Sequence, residues 1–426
     1  MSDVVRHAEP FRPPISLASF QTGLRDVVLV GFAEALSAPE VVWSLVDDGF
    51  HVVAFARRGH LSALRHSRHV VCHEITPPEV DPQEAMSDLT SLLANLGGIP
   101  NEACRILFPL DDKAVWLCSA LRLDRPWLFA GPQDGAAELA LNKDMQFQAA
   151  SEAGFDVPTF LLAHKAEEII RFGAGESFPV ILKPARPVST DDGRIVNCPT
   201  WVCANSTELD HAVAQWAERI PLFIQKLVAG TGEGIFGLAA PDGIRSWSAH
   251  RRLRMMNPQG SGSSACVSVA LSEDVKAKAQ RLIENTGWRG LFMIELLRDR
   301  NGKIWFIELN GRPWGSMALA RKQRLEYPAW QARFAIDPRS TVTTAPVSTP
   351  GLVCRHVGRE FMHLLFVAKG PKSKALTSWP SFWGTMREVL RIHRKDSFYN
   401  LRRDDLKVFF ADCYYTVHDN VFKSRL

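Results

Sequence analysis

The sequence predicts a protein of mixed class, with an α/β domain followed by α+β structure. The chain has 426 residues, which is too many for one hydrophobic core, so two or three domains are expected. Between residues 25 and 131, apolar runs typical of buried strands alternate with helical segments, a pattern that predicts parallel β-α-β winding. Later in the chain, two apolar runs flank Asp299-Arg300-Asn301-Gly302, whose Asn-Gly pair favours an antiparallel hairpin.

Composition is that of an ordinary globular protein. Hydrophobic residues make up 46% of the chain and charged residues 23%, and the net charge of +4 does not indicate a nucleic-acid partner. We see no apolar run of about 18 residues that could span a bilayer, and the first twenty residues lack the apolar core of a signal peptide. The eight cysteines are scattered without a Cys-x-x-Cys pair, which favours reduced thiols and a cytoplasmic location.

Short apolar runs define the elements of the first domain. Strands are predicted at residues 26–32, 51–57, 105–112 and 127–131, with a helix at 38–50, and the patternless residues 1–24 are expected to be a flexible arm. The first strand is followed by Gly31 but lacks the second and third glycines of the dinucleotide-binding motif. We therefore expect a Rossmann-like domain over residues 25–131 that does not bind NAD.

The next two hundred residues mix helices with longer strands. Within the segment of residues 141–160, a helix is expected to end at Gly154 and a strand to start near Pro158. A second helix, over residues 206–220, is expected to have Ser206 or Thr207 as its N-cap. Residues 229–234 are predicted to form a turn and residues 258–264 a Gly-Ser loop. Further elements are predicted as strands at 178–186, 192–205, 221–228 and 244–256, and as a helix at 272–287.

Residues 331–426 form a C-terminal extension that is expected to be largely helical, as at residues 381–394. We expect it either to cap the functional site or to mediate formation of a homodimer. Residues 351–426 hold 14 Lys and Arg against 7 Asp and Glu, together with aromatic side chains such as Trp379 and Trp383. This region is consistent with weak contact with an anionic membrane surface or an acidic partner, or with a solvated helical face that covers core aromatics.

The hairpin carries the pattern most indicative of chemistry. Glu295 lies in the middle of one apolar strand, and Glu308 ends the other. Because side chains alternate along a strand, Glu308 and Asn310 point to the same face, and a tight turn would bring Glu295 opposite them. Oxygen ligands grouped in this way suit Mg²⁺, which prefers one or two carboxylates plus water and phosphate. The alternative, two solvent-facing glutamates on an open sheet, is disfavoured by the apolar flanks.

Three cationic residues suit the anion that Mg²⁺ would accompany. Lys183 ends the apolar strand "FPVILK", and Lys143 begins a helix, where backbone N–H groups also favour anions. Arg312 follows Asn310 by two residues, and its guanidinium is suited to bidentate binding of a phosphoryl group. Each lysine alone is more typical of a surface side chain, so the prediction depends on the combination.

Two other groups of residues remain open. His66, His69, Cys72 and His73 are potential metal ligands, but their spacing fits no standard zinc pattern. The pair Asp111-Asp112 follows a predicted parallel strand, where it would either line a ligand crevice or cap the next helix.

Five separated segments together resemble the ATP-grasp ligases. They are "FPVILKP", "LFIQKLVAGTGEGIFGL", "AHRRLRMMNPQGSGSS", "GLFMIELLRD" and "GKIWFIELNGRPWGS", in this order, and "LNKDMQFQAASEAGFDVPTF" resembles the segment before them. The run after Asn310-x-Arg312 is most similar to the carbamoyl-phosphate-synthase-like carboxylate–amine ligases. The resemblance covers residues 25–330. It implies a pre-ATP-grasp domain at 25–131 and a two-lobed ATP-grasp domain at 132–330, with a small lobe at about 155–228 and a large lobe at about 229–330.

The resemblance also implies a role for each matching residue. Lys143 and Lys183 would hold the phosphates of ATP, and Arg312 would contact its γ-phosphate. The remaining assignments follow the same family pattern: adenine at the hinge residues Gln225 and Leu227, ribose at Glu233, one or two Mg²⁺ or Mn²⁺ ions at Glu295, Glu308 and Asn310, and the substrate carboxylate at Arg252 and Arg254. One departure is Lys226, which stands where many relatives have an acidic hinge residue.

The function implied is ligation of two small molecules. A carboxylate would be activated by ATP as an acyl-phosphate, and an amine would then displace phosphate to give an amide or peptide-like bond. Two alternatives remain: an ATP-binding protein of the same fold that is catalytically silent or regulatory, and a phosphotransferase that stops at the phosphorylated product.

Overall fold

A computed structural model describes residues 25–96, 103–124, 126–176, 178–260, 262–339, 348–371 and 379–422. The arm predicted at residues 1–24 lies outside the described residues. None of the described helices is both long and apolar enough to cross a bilayer. All eight cysteines are free thiols.

An N-terminal sheet of five parallel strands begins the described chain, with the strand order β3-β2-β1-β4-β5. Helices on both faces cover two apolar layers, as expected for a doubly wound sheet. The third strand was not predicted, because its side chains are only partly buried and its sequence, VCHEI, lacks an apolar run. The strands are β1 (Val27–Gly31), β2 (His51–Arg57), β3 (Val71–Ile75), β4 (Arg105–Pro109) and β5 (Trp127–Phe129), and the helices are α1 (Ala38–Asp47), α2 (Pro82–Asn95) and α3 (Asp112–Ser119).

A four-stranded antiparallel sheet follows, in the order β10-β7-β11-β6. The N-cap of its second helix is Asn205, whose side chain accepts a hydrogen bond from the N–H of Glu208, so the caps predicted at Ser206 and Thr207 are wrong by one or two residues. The elements of this region are α4 (Asp134–Ala140), α5 (Lys143–Glu152), β6 (Phe160–Ala163), α6 (Ala166–Gly175), β7 (Val180–Pro184), β8 (Thr190–Asp191), β9 (Arg194–Ile195), β10 (Trp201–Cys203), α7 (Ser206–Trp216) and β11 (Leu222–Lys226).

A seven-stranded sheet forms the largest layer, in the order β16-β15-β12-β13-β14-β17-β18. The turn predicted at residues 229–234 is wrong, because β12 already begins at Thr231. A Cβ at Gly232 would lie 2.6 Å from Cδ of Arg252, so the glycine there permits close packing within the sheet. The elements are β12 (Thr231–Ala240), β13 (Gly243–Met255), β14 (Ser263–Ser268), α8 (Glu273–Asn285), β15 (Gly290–Arg298), β16 (Ile304–Asn310), α9 (Met317–Lys322) and α10 (Tyr327–Ile336).

The C-terminal extension is helical for most of its described length, but it also adds two short strands to the edge of the seven-stranded sheet, which were not predicted. Strand β17 pairs antiparallel with β14, and β18 pairs parallel with β17. Its elements are β17 (Val353–Arg355), α11 (Val357–Lys369), α12 (Phe382–Leu390), β18 (Asp396–Phe398) and α13 (Leu406–Phe422).

The start of α13 docks against the N-terminal sheet and its helices. The imidazole of His66 lies 2.7 Å from the hydroxyl of Tyr415, and His69 pairs with Asp404 at 3.1 Å. These histidines therefore hold the extension in place. Among the described residues, no group of three or more His, Cys, Asp or Glu is arranged to bind a metal ion.

Candidate active site

The predicted hairpin of β15 and β16 is confirmed, and its register brings the two glutamates together. Glu295 lies directly opposite Glu308, and Met293 lies opposite Asn310. The register shifts between Glu295 and Leu296, where Ile307 is the extra residue of a bulge. Both carboxylates remain partly accessible, with side chains 20% and 27% exposed. One face of the hairpin therefore presents two carboxylates with an amide as neighbour.

Lys143 reaches this pair from the first residue of α5. Its Nζ lies 3.3 Å from Oε1 of Glu308. The helix is fixed to the hairpin by Gln146, whose side chain donates to the carbonyl of Leu309 at 2.9 Å and accepts from its N–H at 3.0 Å. Sequence reasoning missed Gln146. The only sequence signal for this role is that Gln146 is a polar residue beside Phe147 and Ala150 on the buried face of α5.

Lys183 approaches the same carboxylates from the end of β7. Its ammonium lies 5.7 Å from the ring centroid of Phe147 and 5.4 Å from that of Phe223. Burial and the nearby charge of Lys143 lower the pKa of Lys183 to about 8, against the opposing effect of Glu308 and Glu295. The two glutamates therefore do not fully neutralise Lys183, so its surroundings favour binding of an anion.

The pKa of Glu308 is set by the nearby cations more than by burial. Burial raises it, but Lys143 and the other cations outweigh burial and the repulsion from Asp112, so the pKa lies below its usual value. Glu308 is therefore ionised at neutral pH, as a cation ligand must be.

Arg312 is oriented by a residue of the N-terminal sheet region. Its Nε and Nη2 bind the carboxylate of Asp112 at 2.7 and 3.1 Å. The pKa of Asp112 is raised by burial but more strongly lowered by Arg312 and Lys143. The neighbouring Asp111 is the N-cap of α3, accepting from the N–H of Ala114. The two aspartates thus have separate roles, and the structure brings Asp112 into the site.

The two arginines assigned to the substrate carboxylate have different surroundings. Arg252 binds Glu295 at 2.8 Å, so it borders the pair of glutamates. Arg254 instead binds Glu360 of α11 at 2.6 Å, with Glu388 a further 3.5 Å contact. A register irregularity in β13 between the two arginines interrupts the simple alternation that suggested a shared face. In this arrangement the guanidinium of Arg254 serves to hold α11.

Glu233, to which the resemblance assigns ribose, lies away from the glutamate pair. In β12 the partner of Glu295 is Gly234, so alternation places Glu233 on the opposite face. There it is bound by Arg251 at 2.8 Å and by Arg298 at 2.8 Å. Glu233 is thus a buried partner for two arginines, and the structure does not bring it to the glutamate pair.

The hinge residues have mixed surroundings. The N–H of Leu227 donates to the carbonyl of Pro179 at 3.0 Å, so this group is already engaged. Gln225 is buried in β11, and its Oε1 has no hydrogen-bond partner among the described residues. An orphaned buried oxygen is costly unless a ligand donates to it.

The hairpin residues fit a divalent cation of the Mg²⁺ type. Two accessible carboxylates lie opposite each other, and a buried amide, Asn310, follows on the same face. This donor set contains only oxygen ligands and leaves room for water and phosphate oxygens, as Mg²⁺ requires.

The chain is similar to known proteins in sequence and in fold. No family model matches the sequence. Over 215 residues the chain is 25% identical to the vancomycin/teicoplanin A-type resistance protein VanA of Enterococcus faecium, a match that spans 46% of this chain and 59% of VanA.

Two solved structures show the same architecture. The L-amino acid ligase from Bacillus licheniformis superposes with a TM-score of 0.54 at 16% identity, over 74% of each chain. The biotin carboxylase domain of the Hydrogenobacter thermophilus 2-oxoglutarate carboxylase, solved with MgADP, ADP and bicarbonate, has a TM-score of 0.56 at 15% identity. That match covers 76% of this chain and 72% of the domain. These likenesses show the fold of the chain.

Proposed function

The chain has the ATP-grasp fold, and from this premise we propose that it is an ATP- and Mg²⁺-dependent ligase that joins a carboxylic acid to an amine. The observation that supports the proposal best is the convergence at the hairpin. Glu295 and Glu308 lie opposite each other, with Lys143 at 3.3 Å from Glu308 and Arg252 at 2.8 Å from Glu295. Opposed carboxylates surrounded by cations suit a metal–triphosphate pair.

The phosphates of ATP would be held by the two lysines. Lys143 is paired with Glu308, and its position at the start of α5 adds the favourable end of the helix dipole. Lys183 lies under-neutralised between Lys143 and the glutamates. An incoming phosphate would relieve the repulsion between the two lysines. We place adenine at the hinge beside Gln225, whose orphaned oxygen can accept from an exocyclic amine.

The metal ligands would be Glu295, Glu308 and Asn310. When bound there, Mg²⁺ would neutralise part of the phosphate charge and orient the γ-phosphoryl group. Mn²⁺ is expected to substitute because it accepts the same oxygen ligands.

The first chemical step is attack by a substrate carboxylate oxygen on the γ-phosphorus. A new P–O bond forms, the bond to the β-phosphate oxygen breaks, and ADP leaves. Asp112 holds Arg312 in the orientation needed to offset charge on the transferred group. No strong general base is needed, because the nucleophile is already a carboxylate.

In the second step an amine nitrogen attacks the acyl carbon. The C–O bond to phosphate breaks, inorganic phosphate leaves, and the nitrogen loses a proton. Water competes with the amine for the acyl-phosphate, so the intermediate must be enclosed. We assign enclosure to residues 256–260, which follow β13, together with α11 and α12. The eight free thiols are in keeping with a reducing compartment such as the cytoplasm.

The proposal is tested by measuring ADP release with a panel of carboxylic acids and amines. We expect ADP only when an acid is present, and amide product when an amine is added. Hydroxylamine distinguishes an acyl-phosphate from a stable phosphate ester, because only the former gives a hydroxamate. Tight ATP binding without ADP release from any pair would favour the silent protein, and a phosphorylated product without hydroxamate would favour the phosphotransferase.

A further inference from the structure

Three buried polar nitrogens lack hydrogen-bond partners among the described residues near the glutamate pair. They are Nε2 of His250, Nε of Arg252 and Nε of Arg359. The first two lie two residues apart on β13, with Ser268 and Cys266 as their partners in β14. Arg359 lies on α11, which packs against the same strands. The two arginine nitrogens are donors, and because buried donors without acceptors are rare and costly, they point to an anion-binding site.

Arg359 differs from the other arginines that join this sheet to the extension. Arg355 is neutralised by Glu360 and Asp396, and Arg254 is neutralised by Glu360. Within the described chain, no carboxylate forms an ion pair with Arg359. Its Nη1 donates to the carbonyl of Ser263 at 3.3 Å.

The nearby acidic group is already engaged elsewhere. Asp412 attracts Arg359, but its Oδ2 lies 2.8 Å from Nε2 of His356 and accepts from Nδ2 of Asn400 at 2.9 Å. Burial and the repulsion from Arg252 lower the pKa of Arg359, while Tyr399 and Asp412 oppose this effect. The guanidinium therefore remains a poorly neutralised cation beside a second cation, Arg252.

Arg252 connects this cation pair to both the reaction centre and a cavity. Its Nη2 binds Glu295 at 2.8 Å, and its side chain lines a cavity of about 540 Å³ between the seven-stranded sheet and helices α11 and α12. The size is typical of a small-molecule site. Much of the lining is apolar, from Leu253, Met255, Pro258, Trp379 and Pro380.

We propose that Arg252 and Arg359 together bind the carboxylate of the acid substrate, and that the cavity receives the apolar or aromatic body of that acid. The inference rests on the proposed ligase function and names the substrate class: a carboxylic acid substantially larger than bicarbonate or acetate. Arg359 replaces Arg254 as the second anchor. The carboxylate would lie beside Glu295, where its oxygen can reach the γ-phosphoryl group. His250, whose pKa burial and Arg252 lower to about 3, would be a neutral neighbour.

The test uses the full chain with ATP, Mg²⁺ and hydroxylamine, so that no amine substrate has to be known. The acids are bicarbonate, acetate, hexanoate, decanoate, benzoate, phenylacetate, indole-3-acetate and the twenty L-amino acids, and the product is the hydroxamate. We expect hydroxamate from acids with apolar or aromatic bodies and little from bicarbonate or acetate. Preference for bicarbonate or acetate would overturn the substrate class.

Variants of Arg359 test the anchor. Arg359→Met should raise KM for the preferred acid by about 10- to 100-fold, as expected for a lost charge-assisted contact, while Kd for a fluorescent ATP analogue changes less than 2-fold. Arg359→Lys should recover part of the loss. The matched control, Lys369→Met, removes an exposed charge from the same helix and should leave both constants unchanged. An unchanged KM in folded Arg359→Met, checked by thermal denaturation, would overturn the assignment.

Failure of the ligase proposal can be told apart from failure of this site. Absence of hydroxamate with every acid would overturn the ligase activity. Calorimetric binding of the same acids to wild type and Arg359→Met then judges the site independently. Binding that requires Arg359 supports the site, and binding that does not, or no binding at all, overturns it.

Discussion

At the scale of single residues, each cation of the site faces a carboxylate. Lys143 and Arg252 are paired with the two glutamates that would bind a metal, and Arg312 is paired with Asp112. Ligand binding must therefore exchange partners. The glutamates would then bind the metal, and the cationic side chains would bind the phosphates and the substrate carboxylate. Such exchange keeps charges paired in both states, which limits the cost of burying them.

Nucleotide affinity is expected to fall as pH rises above 8. Lys183 has a pKa of about 8, and a bound phosphate favours its charged form. Above pH 8 the lysine is mostly neutral, so nucleotide binding requires the uptake of a proton by Lys183. Kd for a fluorescent ATP analogue should be constant from pH 6.5 to 7.5 and should rise by up to about tenfold per unit above pH 8. Lys183→Met should bind weakly and lack this rise, and parallel pH profiles for the two proteins would contradict the assignment.

The same lysine makes an opposite prediction for stability without nucleotide. Its folded pKa lies below its unfolded value, 10.5, so the cost of burying the charge is fully present below pH 8 and disappears as pH rises towards 10.5. Lys183→Met should therefore be more stable than wild type at pH 7. Urea denaturation should show this advantage shrinking by pH 10.

Glu308→Gln should abolish turnover and leave the fold intact. The amide preserves the shape of the side chain but removes the charge that a divalent cation needs and that Lys143 neutralises. We expect kcat to fall at least about 10³-fold, which corresponds to the loss of several kcal/mol of transition-state stabilisation. Glu273→Gln, an exposed change in the first turn of α8, is the control. Retained activity in Glu308→Gln would remove this residue from the metal site.

At the scale of elements, the hairpin shows how backbone conformation sets the position of the carboxylates. Asp299 accepts hydrogen bonds from the N–H groups of Asn301 and Lys303, and Gly302 has a φ of +83°. Together they close the turn and fix the register of β15 and β16. The bulge at Ile307 then re-aims the strand, so that Glu308 faces Glu295.

Replacing the turn glycine should destabilise the protein through backbone strain alone. Nothing lies within 4 Å of a Cβ at Gly302, so Gly302→Ala costs about 1 kcal/mol because of its positive φ. Gly135 is the matched control, since it also has open space but lies in α4 without a positive φ, and Gly135→Ala should be neutral or stabilising. Urea denaturation measures both changes. Equal effects of the two substitutions would show that the turn does not impose strain.

At the scale of the whole molecule, the described part of the C-terminal extension contacts the first described domain. The extension completes the seven-stranded sheet through β17 and β18 and then returns to the N-terminal sheet through α13. The contact is made by Asp405, which is 4% exposed and accepts from Nε1 of Trp43, Oγ of Ser67 and the N–H of Arg68. This buried carboxylate therefore acts together with the His66–Tyr415 and His69–Asp404 pairs to hold the extension.

Removing that carboxylate should loosen the whole molecule. Asp405→Ala would leave three donors without an acceptor, at a cost of about 3 kcal/mol, and should lower the thermal midpoint by several degrees. The control is Asp404→Ala, which removes an exposed partner of Arg402 and His69 next in sequence and should have a much smaller effect. If the two variants were equally stable, the Asp405 cluster would not be what docks α13.

Much of the architecture could be predicted because it depends on local pattern. Apolar runs, helix-ending glycines and the Asn-Gly turn located most of the described strands through residue 310, but only α1, α5, α7 and α8 among the helices, so that α2, α3, α4 and α6 were missed. The segments around Lys183 and Glu308 carried the resemblance that led to the fold. The missed strands β3 and β17 lie near sheet edges. Strand β3 is only partly buried and lacks an apolar run, and β17 has only three residues, which is too short for a periodic pattern. The N-cap Asn205 was missed because three neighbouring polar residues were all plausible caps.

The sequence by itself predicted most of the strands, the Asn-Gly hairpin and the residue types of the candidate site, because periodicity and turn residues are local properties. The order of its motifs supplied the resemblance to the ATP-grasp ligases. Only the tertiary structure decided which partner each charge has. It paired Arg312 with Asp112 across 200 positions, turned Glu233 to the opposite face of β12, and directed Nη1 of Arg359 to the carbonyl of Ser263. Which charged side chains pair depends on how far apart they lie, which way they point and how deeply they are buried. These properties are set by the packing of elements that are distant in sequence.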